Sequence, residues 1–460
     1  MSPSLPAAVE VVILAAGKGT RMHSDIPKVL HPLAGTPLVQ HVILTAQELE
    51  PHGVRVVYGH GGELLPATLS ASRVDWVAQT EQKGTGHAVQ QAMPAIAPDS
   101  LVLVLYGDVP LIRAETLRPL LKAAARGALA LLTVELDDPR GYGRILRDHS
   151  GAVTGVVEQK DATSEQLGIR EINTGILAVG ALHLKRWLAG LKADNAQGEY
   201  YLTDIVAMAA SEGVTIVAEQ PRAVWEVMGV NSKGQLAELE RIAQRNRASD
   251  LLERGVTLMD PGRFDLRGTL TVGRDVIIDV NVIVEGHVTL GDRVRIGANN
   301  VLHNCTIGAD TIVHPNCVIE DSTIGDDARV GPFARIRPGS RIAGQAHIGN
   351  FVEIKKSEVG EGSKVNHLSY IGDSSVGRHV NIGAGTITAN YDGANKHHTV
   401  IGDNASIGSD CTLVAPVSVG AGATVGANTT ITEDVPPGVL AVGRVRQKII
   451  EGWKRPAKKP

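Results

Sequence analysis

Three basic residues, Lys18, Arg21 and Lys28, surround Gly17 and Gly19 in "VILAAGKGTRMHSDIPKVL". Glycines at a strand end let backbone N–H groups approach a phosphate, and fixed cations hold its charge. The spacing suits a polyphosphate, but two familiar loops do not fit. A P-loop needs Ser or Thr directly after a Gly-Lys pair, whereas Gly19 follows Lys18 here. A dinucleotide fingerprint needs a third glycine where Met22 stands. Gly17 and Gly19 alone could equally form a structural turn; the basic residues and "IPKVL" favour phosphate.

Such a loop must sit on a sheet. Up to about Gly229 the chain alternates apolar runs ("VVILAAG", "VRVVYG", "LVLVLYGD", "ALALLTVEL", "GILAVG") with helical spacing over Leu38–Leu49 and His87–Ile96. Continuous apolar strands between helices predict a parallel sheet covered on both faces, with ligands at the carboxyl ends of its strands. The glycine- and proline-free stretch "QLAELERIAQRNRASDLL", Gln235 to Leu252, predicts one linker helix.

Beyond it the period changes. From Ile401, aliphatic residues recur at Ile407, Leu413, Val419, Val425 and Ile431, and the same six-residue step runs from Ile324 through Val330, Ile336, Ile342 and Ile348 to Ile354. Five-residue steps such as Leu302 to Ile307 shift the phase without ending it. Six matches neither a helix nor a single strand; it matches the short strands and tight turns of hexapeptide β-helix repeats. Three hexads would close a coil of about 18 residues, stacked at roughly 4.8 Å on the next. A β-sandwich would show alternating strands of five or six residues and fewer regular glycines. The pattern breaks once, at "TANYDGANKHHTV", and insertions in repeats mark a binding face.

At 460 residues the chain exceeds one ordinary core. Its 43% apolar and 20% charged residues are a globular balance, and a net charge of -4 argues against nucleic acid as a partner. Cys305, Cys317 and Cys411 are too few and scattered for a disulfide framework or zinc site, which predicts buried free thiols in a reducing compartment. The first residues lack a signal-peptide pattern, and no apolar run reaches the ~20 residues of a membrane span, so a cytoplasmic protein without membrane insertion is expected.

"LAAGKGTRM" with "PKVL", then "QTEQKGTGHAV", "LYGDVPL", "GYGRI", "VVEQKDA" and "EINTGI", resemble the motifs of nucleotide-sugar pyrophosphorylases, in order. With the hexapeptide half, the chain from Val11 to Trp453 resembles the bifunctional N-acetylglucosamine-1-phosphate uridyltransferase / glucosamine-1-phosphate acetyltransferase family. The resemblance implies an α/β plus β architecture: a Rossmann-like nucleotidyltransferase domain over 1–229, a linker helix over 230–255 and a left-handed parallel β-helix acetyltransferase domain over 256–460, in a homotrimer. It implies small-molecule substrates, UTP and acetyl-CoA as co-substrates, and Mg²⁺. The product would be UDP-N-acetylglucosamine for peptidoglycan and lipopolysaccharide.

For the first half, the resemblance assigns triphosphate stabilisation to Arg21 and Lys28, and Mg²⁺ to Asp108 and Asn231. Leu14, Gly17, Tyr106, Gln79, Gly84 and Thr85 match nucleotide positions, the last three reading uracil. Gly143, Glu158 and Asn173 match those holding N-acetylglucosamine. Taken singly, Asp108 could be a helix N-cap, Glu158 an exposed strand residue and Asn173 a turn former. "NAQGEYYLTD", Asn195 to Asp204, matches a family segment without an individual role.

For the second half it implies that His367 is the general base, a task histidine suits near neutral pH, with Glu353 as orienting or charge-stabilising partner. Arg337, Lys355, Tyr370 and Asn381 would bind the sugar phosphate, and Ala384, Asn390, Tyr391, Ser409, Ala427 and Arg444 acetyl-CoA. Arg337 and Lys355 could instead be solvated corners, and Tyr391 could merely pack the loop. The family often has cysteine where Ala389 stands, which removes a thiol mechanism there. Seven basic residues against Glu451 in the tail from Arg444 could serve CoA phosphates in part, with the end of "KRPAKKP" solvated. Two other readings stay open: a pyrophosphorylase for a different nucleotide sugar with a regulatory solenoid, and a solenoid that only trimerises.

Overall fold

The apolar run before the glycine loop forms β1 (Val9–Leu14), every residue of it buried. In the computed structural model, which describes residues 8–17, 19–59, 61–456 and 458, the chain divides into two compact units, Met1–Ala243 and Gln244–Pro460.

In the first unit β1 is followed by β2 (Gly53–Gly59), β3 (Asp75–Gln79), β4 (Leu101–Tyr106), β5 (Leu129–Glu135), β6 (Arg144–Arg147), β7 (Val153–Val157), β8 (Glu171–Gly180) and β9 (Ile216–Glu219). Their order is β9-β5-β8-β4-β1-β2-β3, with the β6–β7 hairpin attached to β8. Side chains alternate across β1. Val11 and Ile13 face α1 (Leu38–Gln47) and α3 (Ala114–Ala124), while Val12 and Leu14 face α2 (Thr85–Ala92), α4 (Ala181–Gly190) and α5 (Asp204–Ser211). Each fully buried Val, Leu or Ile contributes about 1.5–3 kcal/mol, which is why β1 and β4 form the sheet's centre.

One expectation is corrected: the sheet is mixed. β8 runs antiparallel to both β4 and β5. A parallel return needs a crossover of a dozen or more residues on one face of the sheet. Between β5 and β8 the chain instead makes the β6–β7 hairpin and one short helix, so β8 starts at the end where β5 finishes. α2 also ends before Ile96, at a 3-10 turn over Met93–Ala95, because Pro94 cannot continue the ladder.

α6 (Lys233–Glu253) covers the expected linker helix but is not a bare spacer. Its first half packs Leu239, Ile242 and Ala243 against Met22, Leu33, Leu38 and Val230 in the first unit. In its second half Gln244 exchanges hydrogen bonds with the backbone of Leu266 (3.1 and 2.7 Å), and Ala248 and Leu251 join the second unit's core.

The second unit is a parallel β-helix. An 11-stranded sheet forms one face, and a 17-stranded sheet folds over two more. That sheet starts with two nine-residue strands, Phe264–Val272 and Val282–Leu290, which bend at Gly268 (φ 151°) and Gly286 (φ 64°). All twelve residues of the two hexad series are buried along the axis. Most successive coils are 17 or 18 residues apart, as in the bonds Ala309–Asp326 and Arg274–Asp292; the first step, Thr257 to Ile277, is 20, the last, Thr424 to Leu440, is 16, and one coil is 25 residues, between Arg378 and Asp403. The excess is the "NYDGANKHH" excursion. The three thiols are free and buried, and burial pushes Cys305 up to about 12 and Cys317 to about 11.

Candidate functional site

The ends of β1, β3 and β4 border a cavity of about 430 Å³, whose walls include Leu14, Gly17, Lys28, Gln79, Thr85 and Asp108. Gly19 has φ 59°, and a Cβ there would lie 2.6 Å from the Cβ of Lys28, so glycine lets Lys28 fold against the loop. The Lys28 ammonium forms an ion pair with Asp108 and a 2.9 Å hydrogen bond to Asn231 Oδ1. Asp108 and Asn231 are fixed as neighbours because the Val230 N–H donates to the Asp108 carbonyl at 2.9 Å. Asp108 does not cap α3, whose N-cap is Arg113.

Two oxygen donors converging on one point suit a hard cation that keeps water and phosphate in its remaining positions. Among the described residues no group of three or more His, Cys, Asp or Glu forms a denser metal cage. Lys18 lies outside the described residues. Arg21 is exposed on the turn Thr20–Met22, anchored by buried Met22, and does not line the cavity.

Gln79 is buried at the end of β3, with its side-chain amide on the Gly84 carbonyl (3.2 Å) and His87 Nδ1 (3.0 Å). Gly84 has φ 106°, and any Cβ would come within 2.7 Å of the Tyr200 carbonyl. Thr85 opens α2 and accepts the Leu202 N–H at 3.1 Å. Tyr106 is half-buried in the cavity wall, and burial first, then Glu158 and Asp108, push its hydroxyl far above its usual range.

Gly143, Glu158 and Asn173 adjoin one another on three strands. Gly143 accepts the Asn173 N–H at 2.9 Å, and a Cβ on Gly143 would stand 3.4 Å from both Glu158 carboxylate oxygens. Glu158 is half-buried, not exposed, and desolvation raises its pKa although Thr203 donates to it at 3.0 Å. Asn173 does help a turn: its Oδ1 accepts the Gly175 N–H (3.2 Å) at a shift in strand register. The segment from Asn195 was read without roles, yet its Leu202 and Thr203 tie Thr85 to Glu158. A residue near a cavity through backbone contacts leaves no motif of its own.

In the second unit His367 ends the strand Lys364–His367 with Asn350 opposite it in register, and its Nδ1 lies 2.9 Å from Asn350 Oδ1. The expected pairing with Glu353 is not formed: Glu353 accepts from Arg337 at 2.7 Å. The cause is the coil step, which stacks His367 above Asn350 and leaves Glu353 around the corner beyond exposed Phe351. Arg337, Glu353, Lys355 and Tyr370 share one face of the 17-stranded sheet, with Lys355 3.9 Å from buried Asp373. Asn381 is on the 11-stranded sheet, apart from them. Ala384, Ser409 and Ala427 stack on successive coils, joined by backbone bonds of 2.7 Å, and Arg444 donates to the Ala427 carbonyl at 3.1 Å.

The inserted loop folds back on that face. Asn390 is buried and donates to Asp373 at 2.6 Å, while Tyr391 is exposed and bonds the Gly393 carbonyl. Lys396, not singled out from sequence, comes within hydrogen-bonding reach of Lys355, and that contact and its repulsion lower the Lys396 pKa. Asp373 lies among these lysines, 3.9 Å from Lys355 and 4.0 Å from Lys356, and offsets part of the repulsion. The signal was available, since Lys396 is the one lysine of the flagged excursion.

A family model for MobA-like NTP transferase domains matches residues 11–258, just over half of the chain. The chain belongs to that family. Its remainder matches the GMPPB C-terminal domain over 266–347 and bacterial transferase hexapeptide repeats over 398–433. This NTP transferase is therefore joined to transferase hexapeptide repeats. Among solved structures it is similar to a nucleotidyl transferase from Methanothermobacter thermautotroptrophicus (20% identity, 52% of this chain, 99% of that one, TM-score 0.39). It is also similar to UDP-glucose pyrophosphorylase complexed with UDP-glucose (19% identity, 52% and 100% covered, TM-score 0.44). Among the described residues no helix is long and apolar enough to cross a membrane.

Proposed function

We propose that the chain makes UDP-N-acetylglucosamine in two steps: acetyl transfer from acetyl-CoA to glucosamine 1-phosphate on the solenoid, then uridylyl transfer from UTP in the first unit. The observation that carries the reading is the presence of two polar sites, the cavity in the first unit where Lys28 meets Asp108 and Asn231, and the solenoid face that gathers Arg337, Lys355 and Tyr370. A homotrimer is part of the proposal, because Asn381 lies on a different sheet from Arg337, Lys355 and Tyr370, so one chain leaves the set dispersed.

In acetyl transfer the side-chain Oδ1 of Asn350 accepts a hydrogen bond from His367 Nδ1–H, which holds the proton on Nδ1 and leaves Nε2 free to accept one. The glucosamine nitrogen attacks the thioester carbonyl, an N–C bond forms, the C–S bond breaks to release the CoA thiol, and Nε2 takes the ammonium proton. Arg337, Lys355 and Lys396 neutralise the sugar phosphate. Glu353 keeps Arg337 extended on that face. The acetyl-CoA column is Ala384, Ser409, Ala427 and Arg444, with Asn390 and Tyr391 of the loop.

In uridylyl transfer a phosphate oxygen of N-acetylglucosamine 1-phosphate attacks the α-phosphorus of UTP, and the bond to the β-phosphate oxygen breaks to release pyrophosphate. Asp108 and Asn231 would hold Mg²⁺, which neutralises charge on the phosphates when bound. Lys28 and Arg21 follow the triphosphate, Gln79, Gly84 and Thr85 hold the base, and Gly143, Glu158 and Asn173 hold the sugar.

The test is mass spectrometry of the purified chain with glucosamine 1-phosphate, acetyl-CoA, UTP and Mg²⁺. UDP-N-acetylglucosamine is expected, with His367→Ala stopping at the first substrate and Asp108→Ala at N-acetylglucosamine 1-phosphate. If wild type never acetylates, the solenoid is a scaffold and a pyrophosphorylase for another sugar takes over.

A further inference from the structure

Arg144 stands at the crossing of β6, β7 and β8, where it pairs with Val157 on one side and Ile172 on the other. It is only 1% exposed, and the carboxylate that feels its charge, Asp138, is exposed and ion-paired with Arg140 instead. Its Nε is buried without a partner. One terminal nitrogen donates to the Tyr142 carbonyl, and the other reaches Gln159 Oε1 at 3.5 Å. Gln159 Oε1 also accepts the Gly141 N–H.

A buried cation without a direct ion pair costs several kcal/mol, and an apolar side chain of similar volume would pack more favourably. The charge therefore has work to do on what it touches. Each residue proposed to meet the sugar follows or precedes this crossing by one position: Gly143 before Arg144, Glu158 after Val157 and Asn173 after Ile172. Drawing in the Tyr142 carbonyl sets the peptide that leads into Gly143, and drawing in Gln159 sets the strand exit that carries Glu158.

We propose that Arg144 is a positioning residue for the sugar ring of the acceptor, acting through Tyr142 and Gln159 without touching substrate. The inference rests on the uridylyl-transfer reading above. A purely structural arginine would affect both substrates and stability together, whereas this role singles out the acceptor.

The test is steady-state kinetics of the full chain with UTP, Mg²⁺ and N-acetylglucosamine 1-phosphate, with melting temperatures, for wild type, Arg144→Met, Arg144→Lys and Gln159→Ala. Arg144→Met keeps the volume and removes the charge. It is expected to melt no lower than wild type, with KM for the sugar phosphate raised about tenfold or more and KM for UTP within about twofold. Arg144→Lys, which keeps charge but loses the fork, should recover only part of the loss. If Arg144→Met fails to fold, half-buried Gln159 supplies the decision: Gln159→Ala should raise the acceptor KM alone. A wild-type acceptor KM in either folded variant, or parallel rises for both substrates, overturns the role. Active wild type with such variants leaves uridylyl transfer standing; wild type that turns over no sugar phosphate overturns that reading, and the role of Arg144 with it.

Discussion

Lys396 lies against Lys355, and Asp373 offsets part of the repulsion between them. Removing it should weaken phosphate capture without touching the base: Lys396→Ala is expected to raise KM for glucosamine 1-phosphate about tenfold and leave kcat within about threefold, measured by thiol release. Glu158 offers a pH test. Burial raises its folded-state pKa above that of the unfolded chain, so its stabilising contribution is complete below the ordinary glutamate range and is lost as pH rises through the folded value. Glu158→Gln should therefore melt about 2 °C higher than wild type at pH 7.5, with the difference vanishing near pH 4. The same variant should bind the sugar less well, because it loses a charged acceptor. At this scale Lys28 and Asp108 were legible as motif residues, Asp108 just past the end of β4 and Lys28 on the turn after the glycine loop, and Asn231 joins them from the residues before α6. The partner of His367 was not, because a step of 17 residues, rather than any local pattern, puts Asn350 beneath it.

The coil step also decides what an insertion does. Six-residue spacing was visible in sequence because one residue per hexad must face the axis and every such residue is buried. β8 was not legible as antiparallel, since an apolar run has the same composition in either direction; only the missing crossover fixes it. Removing the seven residues 391–397 would turn the 25-residue coil into one of 18 residues, matching its neighbours. The shortened chain is expected to keep its melting temperature within a few degrees and lose acetyl transfer entirely, read by calorimetry and thiol release. A large fall in melting temperature would mean the loop supports the coil. Deep in the solenoid the effect reverses: Ile336→Ala leaves a cavity and should cost about 2–5 kcal/mol in denaturant unfolding.

In the proposed reading the chemistry of the whole molecule divides as the chain divides its contacts. Asp108 and Asn231 belong to the first unit and His367 and Lys396 to the second. A chelator is thus expected to abolish uridylyl transfer and leave acetyl transfer unchanged, each followed separately by mass spectrometry; inhibition of both would argue for a cation on the solenoid. That the two halves would differ in kind was legible from the change of period near Leu252. How α6 is divided was not, because a helix with charges all round shows no face to assign.

The three thiols have a use outside any reaction. Each is buried, and Cys305 and Cys317 are pushed to about 12 and about 11, so little thiolate exists at neutral pH for an electrophile to find. Burial of all three thiols is expected to make the folded wild-type chain slow to label with maleimide. A cysteine placed at exposed Tyr391 would be a single reactive handle on the inserted loop, ready for a fluorophore that reports whether that loop moves.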